Sequence, residues 1–408
     1  PPCRTASARA HAPRAAADGI EMSHLFMTQV FTNVGDYIPR PDLFPGGAAD
    51  VKRLVDHFHR HKVKVIPYCS LTIAWQAMAG ERRARVCEEH PDWQYLGPDG
   101  IRYNCYGYGN MCYQSPWGEY ITDKLNWLTD SLGFDGLHID GPYHGLPCLE
   151  TQHRHRSPES VGYMNWKWEQ NFYRGKAAKG LFVTVPQDPA ALLFGARAVP
   201  GGYTEEDFAF MGGMPLVTAC RARLFDARYR LPASCTWSWI GLDPLHGHSM
   251  EADEEHPATY DHAIAGCFGY GHWGLLHGVR LYLGPKTERI YRRWIRFYQE
   301  HRQALCGDMI HLVRPDGLRP DAVMHVNPQA EPPAVVVVFN PRDTAGHLHL
   351  HLPLHFAGLK PGAAIMAGAA RLTLDDRSST GLDVTLSPYE IQTIPIRVNV
   401  GKAAQRNN

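Results

Sequence analysis

The sequence predicts an α/β chain: a TIM (β/α)8-type barrel followed by a C-terminal antiparallel β-sandwich. Three observations carry this. Between residues 20 and 305 short apolar runs, closed by Gly, Pro or Asn, alternate with segments of helical period. One of those runs, Gly133-Phe134-Asp135-Gly136-Leu137-His138-Ile139-Asp140, ends on a carboxylate and is stopped at once by Gly141-Pro142. After Asp308 the helical period disappears, and short strands follow with turn residues roughly every ten positions. The implied division is a disordered tail over 1–19, a barrel over 20–305, a sandwich over 306–400 and a second tail over 401–408.

Bulk composition limits what the chain can do. Its 408 residues hold 44% hydrophobic and 20% charged side chains, enough for an ordinary soluble core. With 41 basic and 41 acidic residues the formal net charge is zero, which argues against nucleic-acid and membrane partners. No run approaches the ~18 apolar residues a membrane span needs. The 19 Tyr and 10 Trp suit a carbohydrate partner, whose CH-rich ring faces stack on aromatic planes, although most aromatics in any chain fill the core. Ten cysteines are scattered without a CxxC or any short zinc pattern. The default reading is reduced thiols in the cytoplasm, with Cys105 and Cys112 as a candidate pair across a Tyr/Gly/Asn-rich loop. The segment over 1–19 lacks the apolar stretch of a secretory signal. The chain begins at Pro and not Met, so an extracellular location stays open.

Taken in order, Leu25 to Phe31 reads as the first strand, followed by the polar loop Thr32 to Tyr37. Val51, Leu54, Val55 and Phe58 set a helix over 48–62 that also carries His57, His59 and His61. Odd positions on a helix spread around its surface, so those histidines do not form a metal site. Val63 to Cys69 is the second strand. Residues 70–112 are a long insertion of the kind that walls a site. A helix over 113–132, opened by Ser115-Pro116, leads into the strand that ends at Asp140. His153-Arg154-His155-Arg156 reads as a solvated loop. Trp166, Trp168 and Phe172 mark a helix, and Leu181 to Pro186 a strand. A weaker strand over 197–203 precedes Glu205-Glu206-Asp207. Strands over 233–242 and 264–277 and a helix over 287–303 complete the barrel part. This gives seven strands, so the first is either hidden in the tail or missing. In the sandwich, strands read at 335–339, 347–352, 382–386 and 391–400. His347-Leu348-His349-Leu350-His351-Leu352 puts three Leu on one face and three solvated His on the other.

Side chains alternate along a strand, so His138 and Asp140 share a face while Leu137 and Ile139 share the other. If the Leu/Ile face packs on helices, Asp140 sits inside the barrel at the carboxyl end of its strand, where such barrels place their chemistry. Two carboxylates across a barrel mouth are what glycosidic cleavage needs. Glu205, Glu206 and Asp207 are the candidates for the second acid, with Asp243 as runner-up. Tyr68 and His138 would orient Asp140 or bind hydroxyls. Asp36, Tyr143, His144, Trp237, Trp239, His246 and His248 would line a sugar pocket. No phosphate loop, dinucleotide fingerprint or metal signature competes, so no cofactor is expected.

Gly35-Asp36-Tyr37, Phe44-Pro45-Gly46-Gly47 and His90-Pro91-Asp92-Trp93 occur in the order seen in glycoside hydrolase family 36. The chain resembles that family of clan D, the α-galactosidase-like enzymes, over roughly residues 25–280. Leu231-Pro232 and His246-Gly247-His248 look similar to later segments of it. The resemblance implies a retaining double displacement on an α-glycoside with Asp140 as nucleophile; with the residue reading above, Glu206, Glu205 or Asp207 would be the general acid/base. It does not extend to galactose: where the family carries paired aspartates and a Trp, this chain reads Gln29-Val30-Phe31-Thr32-Asn33. The alternative is a non-catalytic carbohydrate-binding protein derived from such a barrel, and a metal-dependent hydrolase built on the His-rich loops is a third reading. The sequence leaves the sugar, the anomer and the oligomeric state open.

Overall fold

A computed structural model describes residues 5–25, 29–74, 84–105, 108–140, 147–186, 201–208, 213–226, 235–238, 241–243, 248–250, 254–271, 273–276, 281–282 and 284–399. For 5–10, 104–105, 108, 185–186, 201–208, 235–238, 241–243, 248–250 and 273–276 the backbone alone is described. The chain divides into two compact units, Pro1–Gly202 and Tyr203–Asn408.

The first unit holds four parallel strands side by side in chain order: β1 (Met22–Leu25), β2 (Lys64–Ser70), β3 (Gly136–Asp140) and β4 (Phe182–Pro186). Helices α1 (Thr5–Ala17), α2 (Ala48–Arg60), α3 (Trp117–Asn126) and α4 (Val161–Ala178) alternate with them. This is the strand–helix order of parallel α/β architecture. On α2 the buried residues are Val51, Leu54, Val55 and Phe58, one stripe at helical spacing. They share a core with Val65, Leu137, Ile139 and Val183 from the outward faces of the strands. Asp135 ties α2 to the sheet, its Oδ2 accepting from the Val65 amide at 2.8 Å and lying 2.9 Å from His59 Nε2. Gly136 lets β3 and β4 approach: a Cβ there would stand 1.8 Å from the Phe182 carbonyl oxygen.

In the second unit β5 (Gly201–Phe208), β6 (Cys235–Ser238) and β7 (Trp273–Leu276) are parallel, with Cys235 in register with both Tyr203 and Trp273. Helices α5 (Gly213–Asp226), α6 (Pro257–Phe268) and α7 (Pro285–Leu305) accompany them. The sandwich follows. A six-stranded antiparallel sheet is built from β8 (Asp308–Val313), β9 (Asp321–Val326), β10 (Ala334–Phe339), β12 (Ala364–Ala367), β13 (Ala370–Thr373) and β15 (Ile391–Val398). The pair β11 (Gly346–Pro353) and β14 (Ser379–Leu386) forms its own two-stranded sheet. Val336, Val338, Leu350, Leu352, Leu382 and Ile396 lie in the shared core. On β11 Leu350 and Leu352 are buried while His347, His349 and His351 are exposed, and His349 Nδ1 sits 2.9 Å from Asp383.

Several expectations change. Residues 5–17 are not a disordered tail but a helix, whose Ala12 and Ala15 are buried in the first core. An Ala-rich segment needs only a receiving surface to order, and the His11 ring lies 6.1 Å from Phe58 on α2. The described part of the first strand is Met22–Leu25, and Gln29 and Val30 are not strand, so it does not run from Leu25 to Phe31. Residues 264–268 belong to α6, not to a strand. The compact units meet at Gly202/Tyr203 and not near 305/306, because α5, α6 and the loop after it bond to the sandwich. Arg221 pairs with Asp321, His262 Nε2 reaches the Tyr389 carbonyl at 3.1 Å, and His325 Nε2 reaches the Gly269 carbonyl at 2.9 Å.

Candidate active site

Parallel register brings the inward residues of the first unit to one level. Tyr68 is opposite His138, Ser70 is opposite Asp140, and His138 is opposite Thr184. Asp140 is the last residue of β3 and is half-buried, whereas His138 below it is buried. The Tyr68 hydroxyl donates to Asp140 Oδ2. His138 Nδ1 lies 2.8 Å from Thr184 Oγ1. Its ring is 4.3 Å from that of His24 on β1 and 5.9 Å from that of Tyr68. The arrangement is a carboxylate at the rim on a floor of packed polar rings. Such packing restricts the rotamers of Tyr68 and His138.

The lip of β2 is held from outside. Tyr37 is buried, and its hydroxyl accepts from the Ser70 amide at 3.2 Å. Burial raises the Tyr37 phenol well above its ordinary range, so it serves as a neutral latch.

Asp36 has a different job from the one its sequence context suggests. Its carboxylate accepts from the Arg85 amide, from the Val86 amide at 3.4 Å, from the Tyr120 hydroxyl at 2.8 Å and from Asn33 Nδ2 at 3.3 Å. It caps the short helix Arg85–Glu89 and joins it to α3, and no lone pair is left for a sugar. His24, which sequence reading missed, packs its ring tilted against that of His138 because the first strand starts earlier than expected. Had the alternation been extended back from Leu25, His24 would have been read on the inward face.

The other sequence-predicted residues are less fully described. Glu205, Glu206 and Asp207 lie within β5 rather than after a strand, beside a register irregularity between Thr204 and Phe208. Trp237 falls in β6, and Asp243 and His248 in a small antiparallel ribbon, Gly241–Asp243 with His248–Met250. For all of these only the backbone is described. Tyr143, His144, Trp239 and His246 lie outside the described residues. Among the described residues no helix is long and apolar enough to cross a membrane.

No family model matches the chain. A curated protein of Flavonifractor plautii, "A type blood alpha-D-galactosamine galactosaminidase", is 28% identical over 140 residues, 32% of this chain and 12% of its own length. The GH36 α-galactosidase AgaA of Geobacillus stearothermophilus, solved with raffinose, superposes with a TM-score of 0.72 at 14% identity, covering 97% of this chain and 53% of that one. An α-amylase of Geobacillus thermoleovorans, solved with acarbose, superposes with a TM-score of 0.63 at 14% identity, covering 97% of this chain and 92% of its own. The chain therefore spans about half the length of the α-galactosidase and a small part of the curated relative. Within that span its fold is similar to that of the family 36 α-galactosidases.

Proposed function

We propose that this chain is a glycoside hydrolase that cleaves an α-glycosidic bond by retaining double displacement. Asp140, ionised, attacks the anomeric carbon. An acid from Glu205, Glu206 and Asp207 protonates the leaving oxygen and then takes a proton from the water that releases the sugar. One observation carries the reading: a carboxylate ends β3 on the inward face, oriented by the Tyr68 hydroxyl above the His138–Thr184 pair. The fold shared with α-galactosidases and the galactosaminidase similarity support the same reaction class. The Tyr68 hydrogen bond stabilises the carboxylate form, which is the form a nucleophile needs.

The engaged Asp36 carboxylate favours a second reading, a protein that binds sugar without turning it over, because one of the expected hydroxyl ligands is spent on the fold. A panel of aryl α-glycosides separates the two. The parent chain should hydrolyse at least one of them with retention of configuration, followed by NMR of the released sugar. Asp140→Asn should lose at least ~10³-fold in kcat. Tyr68→Phe should lose about tenfold, the size of one charge-assisted hydrogen bond. Unchanged turnover in Asp140→Asn would remove the nucleophile assignment. Sugar binding with no turnover by the parent would favour the binder.

A further inference from the structure

A cluster outside the proposed reaction centre gathers two thiols and two imidazoles. Cys112 follows the hairpin of the long insertion, and Cys148, His153 and His155 lie in the connection after β3. One ligand atom from each of the four lies within 4.8 Å of the other three. Cys112 and Cys148 are fully buried, His153 is buried and His155 is half-buried. The loop read from sequence as solvated is thus folded inward at both its histidines. The Cys112 thiol lies within 4.8 Å of that of Cys148; the side chain of Cys105, the partner suggested by sequence, is outside the described residues.

The surroundings orient the ligand atoms. The Leu96 amide donates to Cys148 Sγ at 3.5 Å. His153 Nε2 lies 2.8 Å from the Asp92 carbonyl and so donates its proton to it. That fixes the tautomer and leaves Nδ1 as a lone pair, 3.4 Å from Cys148 Sγ. A ligand imidazole held through its other nitrogen by a carbonyl is the usual outer support of a metal site. His155 Nε2 is buried and makes no hydrogen bond among the described residues. Around the cluster, Tyr95 and Val161 are fully buried and form an apolar wall.

We propose that Cys112, Cys148, His153 and His155 bind one zinc-type divalent ion in a closed tetrahedral Cys₂His₂ site. Sulfur and imidazole donors select zinc over magnesium or calcium, and four protein ligands leave no open position, so the ion is structural. It joins the insertion that ends at Cys112 to the connection that leaves Asp140. On binding, each thiol gives up its proton to solvent and no electron moves.

The test uses the full chain, purified under reducing conditions. Elemental analysis should find about one zinc per chain, and removal by a chelator should lower the unfolding temperature by several degrees. Co²⁺ added to the stripped chain should give the intense visible bands of tetrahedral thiolate coordination, a readout independent of any glycosidase activity. Cys148→Ser and His155→Gln should each lose the bands; if Cys148→Ser fails to fold, the cobalt spectrum of the parent still decides. A chain that takes up neither Zn²⁺ nor Co²⁺, or whose Cys112 and Cys148 resist alkylation until a disulfide between them is reduced, overturns the proposal.

Discussion

The buried ion pair between α5 and the sandwich sets up a quantitative test of what holds the second unit together. Arg221 Nη2 lies 2.9 Å from Asp321 Oδ2, and both side chains have zero exposure. The guanidinium also has Nη1 3.3 Å from His262 Nδ1 and its carbon 4.4 Å above the Phe339 ring. Yet Arg221 Nε and Asp321 Oδ1 are buried without hydrogen-bond partners among the described residues. Burial raises the Asp321 carboxyl, and the Arg221 charge only partly offsets it. Both ions are therefore incompletely compensated. Asp321→Ala leaves a guanidinium buried beside a ring and an imidazole, and a broken buried pair of this kind costs about 3–5 kcal/mol. For a unit of this size each kcal/mol moves Tm by about 2–4 °C, so the expected drop is roughly 6–20 °C in calorimetry or circular dichroism. The double variant Arg221→Met with Asp321→Leu removes both desolvation costs and should recover most of that loss. A fall of less than about 3 °C in the single variant, or a double variant as unstable as the sum of two singles, would refute this account.

Two further outcomes follow from neighbouring features. His262 is held well below its ordinary pKa of 6.5, first by burial and then by the adjacent Arg221 charge, so its Nδ1 accepts from the guanidinium while Nε2 donates to the Tyr389 carbonyl. A depressed folded-state pKa means stability that is complete above the unfolded value and is lost as pH falls below about 6.5, at no more than ~1.4 kcal/mol per pH unit for this one group. His11 and His301 shift in the same direction, so the informative quantity is the difference in urea midpoint between parent and His262→Gln from about pH 7.5 down to 5, which should shrink with acid. Gly136→Ala would drive a methyl into the Phe182 carbonyl, a backbone atom that cannot swing aside; the expected loss is at least ~2 kcal/mol by denaturant unfolding, and a neutral result would mean β3 and β4 separate more readily than their register implies.

The fold was legible where one residue pattern admitted one solution. The α2 stripe and the Leu137/Ile139 face had only each other to bury, and they are packed together. On β11 the Leu and His alternation required one wet face, and the structure has it. Legibility failed where order depends on a surface the segment does not itself encode. Nothing in an Ala/Arg/Pro-rich start announces that α2 will receive Ala12 and Ala15. The apolar run through Ile264 and Phe268 is buried on every side, and a run buried all round carries neither helical nor strand period to read.

The same distinction separates the two clusters of polar residues. The place of Asp140 at a strand end could be found because it follows from local grammar: a strand, a parity and a stop, all within a few residues. Asp36 misled for a related reason. A carboxylate in a Gly/Asn loop looks like a ligand, and only the fold reveals that distant amides of Arg85 and Val86 have claimed it. The Cys112, Cys148, His153 and His155 group sits at the far end of this scale. Its ligands come from two segments separated by the whole α3–β3 unit, so no short spacing betrays them. What could have raised suspicion is His153 alternating with His155 five residues after a cysteine, a local half of a ligand set whose other half arrives only through the tertiary fold. The position of that group gives it mechanical leverage on the strands beneath the proposed site. Cys148 is tied down shortly after Asp140 leaves the sheet, and Cys112 closes the insertion that begins where β2 ends. Fixing both segments at one point would hold the two connections that follow β2 and β3, the strands that carry Tyr68 and Asp140.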